Sequence, residues 1–191
     1  MKKFLLLLLF SVISFAVGAA SVAEDKYLAA AEKGDAQAQF LLGACYYNGY
    51  GVAKDLVQAV YWWRKAADQG FAPAQYKLGG CYYKGVGVAK DLAQAVYWWR
   101  KAADQGDAES QHNLGVCYAN GLGVAQDFKQ AVYWLRKAAD QGLVPAQFNL
   151  GLCYYKSDGV AKDLEQAVYW LRKAADQGDE DAKKALKVLG Y

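Results

Sequence analysis

Residues 42–52 read LGACYYNGYGV, and the same text returns at 78–88 as LGGCYYKGVGV, at 114–124 as LGVCYANGLGV and at 150–160 as LGLCYYKSDGV. Cys45, Cys81, Cys117 and Cys153 therefore stand 36 residues apart. A second tract, RKAADQG, recurs unchanged and ends at Gly70, Gly106, Gly142 and Gly178. Self-similarity at such a period marks a stacked repeat, in which each unit buries its apolar face only against its neighbours. Four copies exceed the minimum of about three that such a stack needs.

Each copy carries the punctuation of two helices. The second opens at Asp55, Asp91, Asp127 or Asp163, with Gln58, Gln94, Gln130 or Gln166 three residues on. An N-cap aspartate bonds an orphan amide and the glutamine can reach back, a variant of the capping box. Gly70 and its copies end that helix, with Arg64 and Lys65 in its last two turns, where cations suit the dipole. The first helix starts near Ala36, and Pro73 and Pro145 fall in the first turn of its copies, where a missing amide hydrogen is tolerated. It ends at the Gly49-Tyr50-Gly51 turn. In the fourth copy Ser157-Asp158-Gly159 stands there instead, so this turn is expected to bend another way. Apolar residues at 56, 59, 60, 63, 66 and 67 follow helical spacing, and Ala38, Leu42, Cys45 and Tyr46 make the matching stripe on the first helix. Gly43 and its copies let the two helices approach closely.

These signals predict an all-α fold of four αα-hairpins with half-repeat caps. The repeats span 35–70, 71–106, 107–142 and 143–178. Residues 24–34 include KYLAAAEKG, which matches WWRKAADQG and supplies a lone second helix. Residues 179–191 form a lone first helix, in which Lys183, Lys184 and Lys187 replace glutamine, aromatic and glycine. A polar terminal helix is what the end of a stack requires. Residues 1–23 read as an export signal, with basic Lys2 and Lys3, an apolar run from Phe4 to Val17, and small residues that place cleavage after Ala19, Ala20 or Ala23. The run is shorter than the roughly 20 residues a membrane-spanning helix needs. A periplasmic or secreted bacterial protein is expected, with no stable membrane insertion after cleavage.

The pattern AxAQxxLGxxYxxGxGVxxDxxxAxxWxxKAAxxG resembles the Sel-like (Sel-one-like) repeat, a relative of the tetratricopeptide repeat. Ala38, Gln39, Leu42, Gly43, Tyr46, Gly49, Gly51, Val52, Asp55, Ala59, Trp62, Lys65, Ala66, Ala67 and Gly70 carry it. The resemblance implies a right-handed superhelix whose first helices line a concave face. It also implies an adaptor for protein complexes, exported members being linked to envelope assembly or host contact.

Four copies in one chain separate positions that packing fixes from those it leaves free. Positions 38, 39, 42, 43, 45 and 46 barely change between copies, whereas 37, 41, 44 and 48 change and share the opposite helix face. A partner is expected there, at Leu41 and Asn48, Lys77 and Lys84, Asn113 and Asn120, and Asn149 and Lys156; drift of solvent-facing residues is the alternative. A possible aromatic edge is made by Tyr47, Tyr83 and Tyr155, with Ala119 breaking the set, and Tyr61, Tyr97, Tyr133 and Tyr169 recur on the second helices. Tyrosine offers apolar area and a polar tip to a partner; half-buried ring packing along the edge is the alternative, and aromatic stripes at helical spacing are usually core.

Composition and residue inventory argue against other functions. The formal net charge of +3 falls to +1 without Lys2 and Lys3, too little for nucleic acid or an anionic membrane. One cysteine per repeat leaves none with a partner inside its hairpin, and neighbouring repeats lie roughly 9–10 Å apart, beyond the reach of a disulfide. Buried, protonated thiols are expected. The resemblance also reaches a cysteine-rich branch described as penicillin-binding or β-lactamase-like, which is the alternative function, but neither Ser110 nor Ser157 has a lysine three residues on. His112, the single histidine, stands where other copies have Phe40, Tyr76 and Phe148, and no cluster of ligands suits a metal. No enzyme activity, no cofactor and a monomer are expected.

Overall fold

A computed structural model describes residues 26–191, and every regular element among them is helical. The elements are α1 (26–32), α2 (Ala36–Asn48), α3 (Leu56–Asp68), α4 (Ala72–Lys84), α5 (Leu92–Asp104), α6 (Ala108–Asn120), α7 (Phe128–Asp140), α8 (Val144–Lys156), α9 (Leu164–Asp176) and α10 (Glu180–Val188). The fold is all-α, with four repeats of about 36 residues. The export signal expected at 1–23 lies outside the described residues. Two compact units divide the chain, one running to Lys90 and one from Asp91 to Tyr191.

Helix boundaries follow the local chemistry. Asp55 Oδ1 accepts from the amides of Val57 and Gln58 at 2.9 and 3.0 Å, Asp127 caps α7 in the same way, and Asp91 and Asp163 cap α5 and α9 through the amides of Gln94 and Gln166. The first helices use two starts. Asp35, Asp107 and Asp179 cap α2, α6 and α10 through their side chains. Phe71 and Leu143 stand at that point in α4 and α8 without a side-chain cap bond, and these are the helices with proline in the first turn. One orphan amide is removed where no carboxylate covers it.

The first helices end on a left-handed residue: Gly49, Gly85 and Gly121 at φ of 76, 72 and 66°. Ser157 takes the same conformation at φ 70°, so the fourth turn does not bend another way. It keeps the shape of the others and leaves a β-carbon in a region that disfavours it by about 1–2 kcal/mol.

In the first unit, Ala31 of α1 packs with Ala38 and Leu42 of α2 and Trp62 of α3. The second unit builds its core from Val132, Leu135, Ala138 and Ala139 of α7, Ala146, Leu150 and Cys153 of α8, and Trp170 of α9. Val168 and Leu171 of α9 continue it to Ala182 and Leu186 of α10. Glycine sets the approach within the hairpins α2–α3, α6–α7 and α8–α9. A β-carbon at Gly43 would lie 2.6 Å from the Trp63 ring, and at Gly115 or Gly151 it would lie 2.8 Å from Leu135 or Leu171.

A tighter contact joins each repeat to the one before. A β-carbon at Gly87, Gly123 or Gly159 would meet the backbone carbonyl of Leu56, Leu92 or Phe128, at the start of the preceding second helix. Gly121, two residues from Gly123, has its nearest such neighbour at 3.5 Å. Gly121→Ala is therefore expected to lose about 1 kcal/mol from backbone strain alone, and Gly123→Ala about 3 kcal/mol or more, because backbone cannot rotate away. Urea denaturation of the two variants measures this, and equal losses would contradict the contact.

Candidate functional site: the free face of the first helices

The fixed positions of the repeat are the buried ones. Ala38, Gln39, Leu42, Gly43 and Cys45 are buried, and so are their counterparts in α4, α6 and α8. The changing positions are not: none of the sixteen residues equivalent to 37, 41, 44 and 48 is buried. Side chains that vary thus face outward in both units.

The buried glutamines hold the helices that carry this face. Gln39, Gln75, Gln111 and Gln147 are only 2–3% exposed. Each donates through Nε2 to a carbonyl near the end of the preceding second helix, namely Ala31, Ala67, Ala103 and Ala139, at 2.9–3.3 Å. Gln39, Gln111 and Gln147 also accept through Oε1 from Gln69, Gln141 and Gln177 at 2.7–2.8 Å. One side chain thereby joins three helices and covers a carbonyl that a helix end leaves under-satisfied. Arginines make a second link: Arg64, Arg100 and Arg136 donate to the hydroxyls of Tyr82, Tyr118 and Tyr154 on the following first helix. At the C-terminal end Arg172 lies over the ring of Tyr191 at 5.1 Å. Neither set was among the expected functional residues. The invariance of the glutamines in four copies was the available signal.

The eight expected partner-binding residues fall into three groups. Asn48 and Asn120 are exposed, but each donates its side-chain amide to the carbonyl four residues back, Ala44 or Val116, at 2.9 and 2.8 Å. They cover their own helix ends. Lys84 and Lys156 sit in the last turns of α4 and α8, where a cation complements the dipole, and Lys77 lies 5.5 Å over the ring of Tyr76. Leu41, Asn113 and Asn149 are half-buried in the middle of the face.

Two of these meet the histidine. Asn149 Nδ2 of α8 lies 3.0 Å from His112 Nε2 of α6, and Asn113 hydrogen-bonds the same imidazole. Burial holds the His112 pKa below its ordinary value, with the Asn113 bond opposing the shift. The ring is therefore neutral at pH 7, able to accept from Asn149 at Nε2. In the first unit the corresponding residues are Phe40, whose ring lies 5.4 Å from that of Phe71, and Lys77.

The aromatic residues are packed and partly open. Tyr61, Tyr97, Tyr133 and Tyr169 are 46–48% exposed, edge-on to the following tryptophan at 4.9–5.0 Å, with Lys65, Lys101, Lys137 and Lys173 over both rings. Tyr47 lies 5.3 Å from Trp63, with Lys54 over its ring; Tyr155 carries Lys162 similarly, and Tyr83 is half-buried. These rings are half core and half surface.

All four cysteines are free and buried. Burial pushes the thiols of Cys81, Cys117 and Cys153 up to about 11, and raises that of Cys45. The charges of Lys77 and Lys84 oppose the shift at Cys81; at Cys153 Asp158 adds to it and Lys156 opposes it. A nucleophilic cysteine needs the reverse displacement. No group of three or more His, Cys, Asp or Glu side chains among the described residues is placed to hold a metal ion. No described helix is long and apolar enough to cross a membrane.

The sequence model of the Sel1 repeat matches residues 36–71, 72–107, 108–143 and 144–179. Among solved structures, a protective antigen present in uropathogenic Escherichia coli strains and displaying an SLR fold is 44% identical, with a TM-score of 0.82 over 85% of this chain and 35% of its own. A Sel1 repeat protein from Oxalobacter formigenes is 40% identical, with a TM-score of 0.77 over 86% of this chain and 66% of its own. Cysteine-rich protein B of Helicobacter pylori is 26% identical, with a TM-score of 0.55 over 69% of this chain and 95% of its own. The chain thus spans about a third of the first and just under two thirds of the second. None of the curated proteins matches it.

The thiol environment has a direct readout. With folded values raised, the thiols of Cys81, Cys117 and Cys153 contribute stability that is present below the ordinary thiol range and lost as pH rises through about 11. At pH 8 the native chain is expected to react slowly with Ellman's reagent, and the denatured chain to yield four thiols at once without reductant. Rapid native labelling, or no thiols after denaturation, would contradict the buried, reduced state.

Proposed function

Because the chain belongs to the Sel1-repeat family, we propose that it is a non-catalytic scaffold that binds another protein on the free face of its first helices. The observation that carries this is the coincidence of variation and exposure: positions equivalent to 37, 41, 44 and 48 change between copies and none is buried. Residues released from packing on a rigid helix are where a repeat protein can acquire a binding surface without losing its fold. The chemistry of the potential nucleophiles and bases supports the absence of catalysis. Burial holds the thiols protonated, and it keeps the single histidine neutral beside two amides rather than beside a nucleophile.

The bacterial envelope or the secreted space is its place of action, given the basic and apolar character of residues 1–23 and the bacterial origin of the similar structures. The repeats begin at 35, 71, 107 and 143, with half-repeats at 24–34 and 179–191, and the chain acts as a monomer.

Photo-crosslinking residues placed one at a time in the cell test the face. Sites 41, 77, 113 and 149 are expected to give adducts with a partner protein. Sites 57 and 129, exposed on second helices, serve as controls. Adducts of equal yield from the controls, or none from the four face sites, would overturn the assignment.

A further inference from the structure

The second helices carry a column of exposed residues that is the same in every copy. Tyr133, Lys137 and Asp140 share one face of α7, and the other three second helices repeat them at 36-residue steps. All of these residues are exposed. One turn ahead of the tyrosine the exposed residue is Val57, Ala93, Lys129 or Glu165. Copying of the repeat therefore does not by itself keep an exposed position constant on these helices. Burial does not demand the tyrosine either, since nearly half of it is open to solvent.

The ring in each column is held in place. Tyr133 stands edge-on to Trp134 at 4.9 Å, and Lys137 Nζ lies 4.8 Å from the centre of the Tyr133 ring and 5.2 Å from that of Trp134. Tyr97 of α5 and Tyr169 of α9 are held in the same way. A ring fixed in this manner offers apolar surface at little entropic cost. The charges beside it are not spent on each other: among the described residues the ion pairs lie on α10. One cation and one carboxylate per column give no net sign, so charge favours neither a polyanion nor a polycation. Trp170 of α9 packs into the α7 core, which makes these helices direct neighbours, and packed helices lie roughly 8–10 Å apart. Single rings at such a step, each flanked by a donor and an acceptor, differ from the contiguous apolar centre of a protein interface.

A ligand that meets the same three groups at every step is one whose own units repeat. A sugar ring has an apolar C–H face to lie on a tyrosine, and hydroxyls that accept from an ammonium and donate to a carboxylate. We propose that the Tyr–Lys–Asp columns of α5, α7 and α9 bind a linear, uncharged glycan, with sugar faces stacked on Tyr97, Tyr133 and Tyr169. This surface is separate from the first-helix face and does not depend on the protein-binding reading. There the residues differ from copy to copy, as an irregular partner requires; here they are identical, as a polymer requires. One column binds weakly, and successive columns act together on one chain.

Calorimetric titration of the whole chain with soluble chito-, cello- and malto-oligosaccharides of increasing length tests this. At least one series is expected to bind, with affinity rising about tenfold or more once the oligosaccharide reaches a second column. Tyr133→Phe keeps the stacking face and should keep the affinity, whereas Tyr133→Gln should lower it for long oligosaccharides. Tyr97→Gln, Tyr133→Gln and Tyr169→Gln together should abolish binding, with the thermal transition of the variant checking that it folds. In the unaltered chain a saturating oligosaccharide should protect the same three tyrosines from nitration by tetranitromethane, a readout that needs no variant. Binding of none of the three series, affinity that does not grow with length, or binding that survives the triple substitution would overturn the proposal. So would tighter binding of dextran sulfate that salt abolishes, which would assign the lysines to a polyanion.

Discussion

A buried glutamine bound to a helix-end carbonyl recurs in all four repeats, and the rest of the structure is arranged around it. Gln111 illustrates the constraint: its Nε2 bonds the Ala103 carbonyl at the end of α5, and its Oε1 takes a bond from Gln141 at the end of α7. A buried amide left without partners costs about 1–3 kcal/mol, so the register of three helices follows from satisfying this one side chain. Apolar packing of small residues against tryptophan or leucine supplies most of the burial, but it is weakly directional. The glutamine supplies direction, and the glycines at 87, 123 and 159 permit the backbone approach that goes with it.

This division of labour explains how the same scaffold can carry different surfaces. Everything that holds a first helix in place lies on one side of it: the alanine and leucine stripe, the glutamine, the glycine and the cysteine. The other side makes few demands, and each copy fills it differently. At His112 and Asn149 it makes a polar contact between neighbouring first helices, with the Asn149 amide donating to the ring.

Much of the fold was legible because repetition turns one chain into its own comparison set. The 36-residue period, the aspartate caps and the glycine turns each have a local cause that sequence displays. The fourth turn differs from the expectation because Ser157, though not a glycine, takes the left-handed conformation and closes on the Cys153 carbonyl as the glycines of the other copies do on theirs. The roles of the glutamines were hidden because their partners are mostly backbone carbonyls, which have no letter in the sequence. The face was visible as a pattern of change, but its internal differences were not. Asn48 and Asn120 resemble Asn113 and Asn149 on paper, and only the helix-end geometry shows the first two occupied by their own backbone. The bond from Asn149 to His112 joins residues 37 apart and has no local signature.

The central claim is that packing fixes one side of each first helix and leaves the other free. Equilibrium urea denaturation of two variants tests it most directly. Gln111→Met keeps the volume but removes the bridge, and should lose about 2–3 kcal/mol by leaving buried partners unsatisfied. Asn113→Lys combined with Asn120→Lys places on α6 the residues that α4 already carries, and should change stability by no more than about 0.5 kcal/mol. Comparable losses in the two variants, or a larger loss in the asparagine pair, would contradict the account.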